Sequence, residues 1–197
     1  MKKICIIKKY ITGKLMNNEY LDYCRVKKIF EKGFGFLTSL YFPENVFFHF
    51  SKIKDPVVKE KLEKLKRGEV YLFYTSKSVK GKRRVDKIWL DVKDIDPKLI
   101  PPFIRRIIEE FNDSKINIFE LAHVVQLLRL NGKITKNQFE KILNSERVKR
   151  IPKSIISMLS KEEIEMFDDL QKLIDDVTDG KINYNVLTDQ VLNKIFS

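Results

Sequence analysis

The stretch that most constrains this 197-residue chain runs from Lys32 to Ser51. It reads Lys32-Gly33-Phe34-Gly35-Phe36-Leu37 and, after a short loop, Val46-Phe47-Phe48-His49-Phe50-Ser51. Side chains on a strand alternate between two faces, so a strand covered on one side is apolar at every second position. Phe34, Phe36, Phe47, His49 and Phe50 cannot all turn inward under that rule. Two neighbouring strands must therefore carry rings outward, and Gly33 and Gly35 are expected to leave the ring faces uncovered for a flat partner. An aromatic platform in a positive field suits single-stranded nucleic acid, whose bases stack while its phosphates are neutralised.

Charge points the same way. The chain carries 39 Lys and Arg against 27 Asp and Glu, a net charge of +12. Residues 1–87 hold 22 basic and 9 acidic side chains, and residues 88–197 hold 17 and 18. The whole excess lies on the half with the aromatic motifs, so a polyanion is the expected partner of that half. Two cysteines, Cys5 and Cys24, are too few for a disulfide framework, which fits a reduced cytoplasmic compartment. The apolar run from Ile4 to Ile7 is too short for a signal-peptide core, and no stretch reaches membrane-spanning length. A soluble intracellular protein with no membrane partner is expected.

Lys32-Gly-Phe-Gly-Phe followed by Val46-Phe-Phe-His-Phe-Ser resembles the two RNP motifs of the cold-shock domain, a five-stranded OB-type barrel, over residues 24–91. An RRM shares the first core, but it needs an aromatic residue two places beyond Leu37, where Ser39 stands, and its partner motif comes first in sequence. The resemblance implies that Phe34, Phe36, Phe47, His49 and Phe50 stack on bases and that Lys27 and Lys32 contact phosphates. The chain departs from the family in strand one, where a Trp-Phe pair is usual and Lys28-Ile29 stands. The loop aromatic expected after strand three is also missing, and Tyr41 and Phe42 are candidates for a substitute platform. Binding should accordingly lean on charge more than the family pattern implies. Lys77, Lys80, Lys82, Arg83 and Arg84 form a basic loop around Gly81 beside the same barrel and are read as further phosphate contacts.

The expected architecture is an all-β five-stranded barrel followed by an all-α helical bundle. Residues 1–22 form an extension, 23–93 the barrel and 94–197 the helical domain. The strands are placed at Cys24–Phe30, Phe34–Ser39, Asn45–Phe50, around Val70–Tyr74 and around Val85–Leu90, with a helix over Val57–Lys66. In the second half, Asp113-Ser-Lys-Ile-Asn117, Asn131-Gly-Lys-Ile-Thr135 and Asp179-Gly-Lys-Ile-Asn183 repeat one turn. Each ends a helix in the left-handed conformation and restarts one from an N-cap, with Ile116/Leu121, Ile134/Phe139 and Ile182/Leu187 at staple spacing. The predicted helices are Pro101–Asn112, Ile118–Leu130, Lys136–Asn144, Pro152–Leu159, Lys161–Val177 and Tyr184–Phe196.

No catalytic constellation emerges, so the chain is not expected to be an enzyme. His123 lies in an apolar run without a second ligand and reads as structural. A calcium loop centred on Gly180 would place Val177 and Val186 at ligand positions, which excludes it. The acids Glu162, Glu163, Glu165, Asp168 and Asp169 read as a solvated helix face. No metal or cofactor is expected. The expectation is a single-stranded nucleic-acid-binding protein, RNA rather than DNA, acting as an RNA chaperone or post-transcriptional regulator. Residues 94–197 would bind a protein partner or a second copy. The alternative is a processing enzyme or ribosome-associated factor whose barrel delivers substrate.

Overall fold

The computed structural model describes residues 20–39, 44–64 and 71–197. Its first part is a strongly curled mixed sheet. Strand β1 spans Tyr20–Phe30, β2 Phe34–Ser39, β3 Val46–His49, β4 Tyr71–Val79 and β5 Lys82–Trp89. They close in the order β1-β2-β3-β5-β4. All pairings are antiparallel except β3 with β5, which rests on the single parallel pair Phe47↔Arg84. That seam is the thinnest part of the wall. Five strands fall within the described residues.

Strand β1 is longer than expected because it serves two neighbours. Its first half, Tyr20–Arg25, pairs with β4, and its second half, Cys24–Phe30, pairs with β2. A bulge between Val26 and Lys28 bends it at the changeover. The extra residue turns Val26 inward and leaves both Lys27 and Lys28 exposed. The turn Glu31-Lys32-Gly33 closes the β1–β2 hairpin, with Gly33 at φ +77° donating to the Phe30 carbonyl at 3.0 Å. Only glycine takes that conformation without cost.

The expected basic loop around Gly81 is instead a tight hairpin. Strand β4 continues to Val79 and β5 begins at Lys82, with Lys80 and Gly81 both at positive φ. Two positive φ values make the primed turn whose twist matches paired strands, so the strands extend further than a loop reading allows. Helix α1, Pro56–Glu63, starts on the Asp55 side chain, which accepts from Val57 N–H at 2.8 Å. Its Val58 and Leu62 join Ile53 over the barrel interior, which is filled by Val26, Leu37, Val46, Phe48, Phe50, Leu72, Tyr74 and Val85.

Beyond two short 3-10 turns, Val92–Asp94 and Pro97–Leu99, the chain is helical. Its helices are α2 Ile100–Asn112, α3 Ile118–Leu130, α4 Lys136–Leu143, α5 Glu146–Lys149, α6 Lys153–Met158, α7 Lys161–Glu165, α8 Leu170–Thr178 and α9 Tyr184–Phe196. The three repeated turns behave alike. Lys115, Lys133 and Lys181 each donate back to a carbonyl five residues earlier, Glu110, Leu128 and Asp176, at 2.7–2.8 Å. Ser114, Gly132 and Gly180 hold φ between +61° and +72°. That is the Schellman closure. Asn117 with Glu120, Thr135 with Gln138 and Ser160 with Glu163 form complete capping boxes.

Two differences from the sequence reading appear here. Lys161–Val177 is not one helix: α7 stops at Glu165, and Asp169 leaves helical geometry at φ −139° before α8 starts. The short α5 went unforeseen, since four residues carry too little periodicity to register.

The helical half and the barrel share one apolar cluster. Leu21, Tyr23 and Phe73, on the outside of β1 and β4, are buried with Phe103, Ile104, Ile107 and the rest of the helical core. Alternation alone would have turned Phe73 to solvent, but α2 covers it and leaves it 2 % exposed. Under the same cover lies a charged cluster. Asp22 accepts from Ser39 Oγ at 2.6 Å, from Tyr74 Oη at 2.7 Å and from Arg106 Nη2 at 2.9 Å. Arg106 Nε lies 3.4 Å from Glu110. No helix among the described residues is long and apolar enough to cross a membrane.

Candidate nucleic-acid interface

The outer faces of β1, β2 and β3 that α2 leaves uncovered carry four rings. Register puts them together: Phe30 pairs with Phe34, Phe34 with His49, and Phe36 with Phe47. All four rings are half-buried, because each covers its neighbours. Phe30 and Phe34 lie nearly parallel, with centroids 4.7 Å apart and planes 18° off. Phe34 and Phe47 are 5.8 Å apart and tilted by 32°. Phe36 stands across the other three at 70–86°.

Cations flank the rings. Lys28 Nζ sits 4.6 Å from the Phe30 centroid, and the Arg84 guanidinium 5.8 Å from that of Phe47. Lys32 is exposed at the tip of the β1–β2 hairpin, and Lys82 at the β4–β5 turn. Lys27 donates to Asn45 Oδ1 at 3.3 Å. Arg83 projects away from its neighbour Arg84 and donates to Ser76 Oγ at 3.2 Å. His49 is exposed. Its Nδ1 accepts from the Ser51 N–H at 3.1 Å, which places the proton of the neutral ring on Nε2 as an outward donor.

Three sequence expectations change. Phe50 is 5 % exposed and packs on Phe48 inside the barrel, with ring centroids 5.7 Å apart, so it is a core residue. Its odd spacing from Phe47 and His49 already puts it on the inward side, and the one-turn 3-10 helix that Phe50 opens where β3 ends at His49 keeps it buried. Gly35 also faces inward and uncovers no ring. A Cβ there would stand 2.5 Å from the Phe48 ring and 2.6 Å from the Lys28 carbonyl, so glycine is required by close packing. Strand one is not short of a ring, because Phe30 supplies one. The family's usual ring pair aligns with Lys28-Ile29, so the motif does not single out Phe30. The available signal was its position directly before a three-residue turn, which sets it opposite Phe34. Tyr41 and Phe42 lie outside the described residues.

Other candidate chemistry is already committed to structure. Glu163 takes Arg129 in a two-pronged ion pair and closes the Ser160 capping box. A cleft of about 720 Å³ lies where β5 and α1 meet α3. Within it Asp55 caps α1, Asp91 caps the following turn, and Asp86 pairs with Lys77 at 2.5 Å. The Lys77 hydrogen bond holds the Asp86 carboxyl below its usual range. Among the described residues, no three His, Cys, Asp or Glu side chains are grouped to hold a metal ion. The His123 ring packs 6.1 Å from Tyr23, and burial lowers its affinity for a proton.

No family model and no curated protein matches this chain. Among solved structures it is similar to Drosophila Unr CSD456, at 18 % identity and a TM-score of 0.30. The match covers 41 % of this chain and 31 % of that one, so the chain spans under a third of the length of that relative.

Proposed function

We propose that this protein binds single-stranded nucleic acid, RNA rather than DNA, on the outer face of β1, β2 and β3. One observation carries the reading: four adjacent rings stand on an uncovered sheet face with a cation at each end of the row. Rings supply stacking surfaces that tolerate any base, and Lys27, Lys28, Lys32, Lys82 and Arg84 supply the positive field that follows a backbone. The motif resemblance to the cold-shock domain fits the same reading. A role as RNA chaperone or post-transcriptional regulator in the cytoplasm agrees with binding that selects single strands and not a reaction. Glu163 and the cleft acids Asp55, Asp86 and Asp91 are used in caps and ion pairs, which favours a binding protein over an enzyme.

The helical half carries no excess charge and presents Phe119, 76 % exposed, and Leu130, 60 % exposed, on α3. This is the surface that a protein partner or a second copy would meet. Titration of the full chain with a short unstructured oligoribonucleotide tests the main reading. Saturable binding, lost on pairing the oligonucleotide with its complement, is expected. Equal affinity for the duplex would overturn it.

A further inference from the structure

The platform rings do not wait with bare faces. Lys28, Phe30, Phe34, Phe47 and Arg84 follow one another across β1, β2, β3 and β5 as cation, ring, ring, ring, cation. Each ring in the row has a neighbour within stacking distance, and the two end rings carry a charged group over the face. Phe36 closes the row from the side, nearly perpendicular to all three. A base that stacks on Phe30 or Phe47 must take the place of the cation there.

We infer that Lys28 and Arg84 are exchangeable caps, which leave the Phe30 and Phe47 faces for the backbone phosphates when bases take those faces. The inference rests on the nucleic-acid reading above and specifies how that site is regulated. The exchange is favourable for a phosphodiester strand. A cation over an exposed ring is a weak contact, a stacked base a stronger one, and the displaced cation regains a charged partner in the phosphate. A strand with bases but no phosphates offers no such partner, so for it the caps are only obstacles. Lys28 and Arg84 therefore discriminate between charged and uncharged strands of the same base sequence. Phe30 becomes a base-stacking residue.

Two measurements on the full chain test this. Wild type, Lys28→Ala, Arg84→Ala and Lys172→Ala are titrated with a short oligoribonucleotide and with a peptide nucleic acid of the same bases. Both cap residues are exposed, so their removal leaves the barrel folded. Each cap variant should bind the phosphodiester strand about fivefold more weakly and the uncharged strand about two- to fivefold more tightly, the scale of a surface cation–ring contact. Lys172→Ala should change neither. Second, ring currents should shift the Lys28 side-chain methylene resonances upfield in the free protein, and the oligoribonucleotide should reverse that shift. If the oligoribonucleotide binds but the uncharged strand weakens or stays unchanged in both cap variants, the inference falls while the binding reading stands. Lys28 resonances that stay unmoved in the bound protein would likewise overturn the inference alone. If wild type binds neither strand, the binding reading falls and the inference with it.

Discussion

Arg106, on the first helix beyond the barrel, places Nη2 2.9 Å from Oδ1 of Asp22 on the first strand. Asp22 is 2 % exposed, and the same guanidinium nitrogen donates to the Leu21 carbonyl at 2.5 Å. Eighty-four residues separate the partners in sequence. The pair joins the sheet to the helices within an apolar surround, where an uncompensated charge is costly.

Removing the cation should therefore cost more than a surface ion pair would. Arg106→Met is expected to destabilise the chain by about 3–5 kcal/mol, because Asp22 is left charged and buried. Adding Asp22→Asn should recover a large part of that loss. Urea unfolding of the single and double variants checks it, and a double variant no better than Arg106→Met would contradict the account.

The same cluster sets a pH dependence. Burial, helped by the nearby Asp22 charge, pushes the Glu110 carboxyl up to about 7 from 4.5. The folded chain then keeps a proton that the unfolded chain releases, so this residue favours folding at low pH. Its contribution fades as pH rises from about 4.5 to about 7, by on the order of 3 kcal/mol at 1.36 kcal/mol per unit. Burial of His123 acts in the opposite sense, since its lowered proton affinity removes stability as pH falls through the histidine range. Glu110→Gln should abolish the alkaline-side decline and leave the acid-side one. Stability measured from pH 4.5 to 8 should show this; a decline that survives the substitution would rule Glu110 out as its source.

On the sheet face, ring position should separate binding from folding. Phe34→Ala and Phe47→Ala should each weaken single-strand binding by about 1–3 kcal/mol with the barrel intact. Phe48→Ala, 1 % exposed, should instead cost about 3–5 kcal/mol of stability. Gly35→Ala forces its Cβ against the Phe48 ring and the Lys28 backbone, an overpacking cost of about 1–3 kcal/mol. Circular dichroism melts run beside the titrations sort the two classes.

Salt should weaken binding steeply. For a single strand touching about four to six basic residues, log K should fall with log salt at a slope near −3 to −4. Arg84→Glu should flatten the slope more than Arg83→Glu, since Arg84 lies over the Phe47 ring while Arg83 is engaged with Ser76. A slope near zero would show that the charge partition serves some other partner.

A fragment ending at residue 93 should not behave as an independent unit. It would expose Leu21, Tyr23 and Phe73, which the helices bury, and would leave Asp22 without Arg106. Loss of cooperative unfolding in that fragment is the expected result. A sharp transition like that of the full chain would show that the shared cluster contributes little.

What the sequence determined by itself was local. The three Gly-Lys-Ile-type turns, the capping boxes at Asn117, Thr135 and Ser160, and the alternation within each strand that holds Phe34 and Phe36 or Phe47 all follow from spacings of five residues or fewer. Backbone preferences and period-2 alternation act at that range whatever the rest of the chain does. What only the tertiary structure decided depends on partners far away in the chain. Phe73 is buried because α2 lies over it. Gly35 is needed because Phe48 occupies the space beside it, and Asp22 meets Arg106 only once the helices dock. The bulge at Lys27, which no local pattern announces, turns Lys28 outward beside the rings. Long-range packing selects among locally acceptable conformations, so it settles which rings face outward and which charges meet.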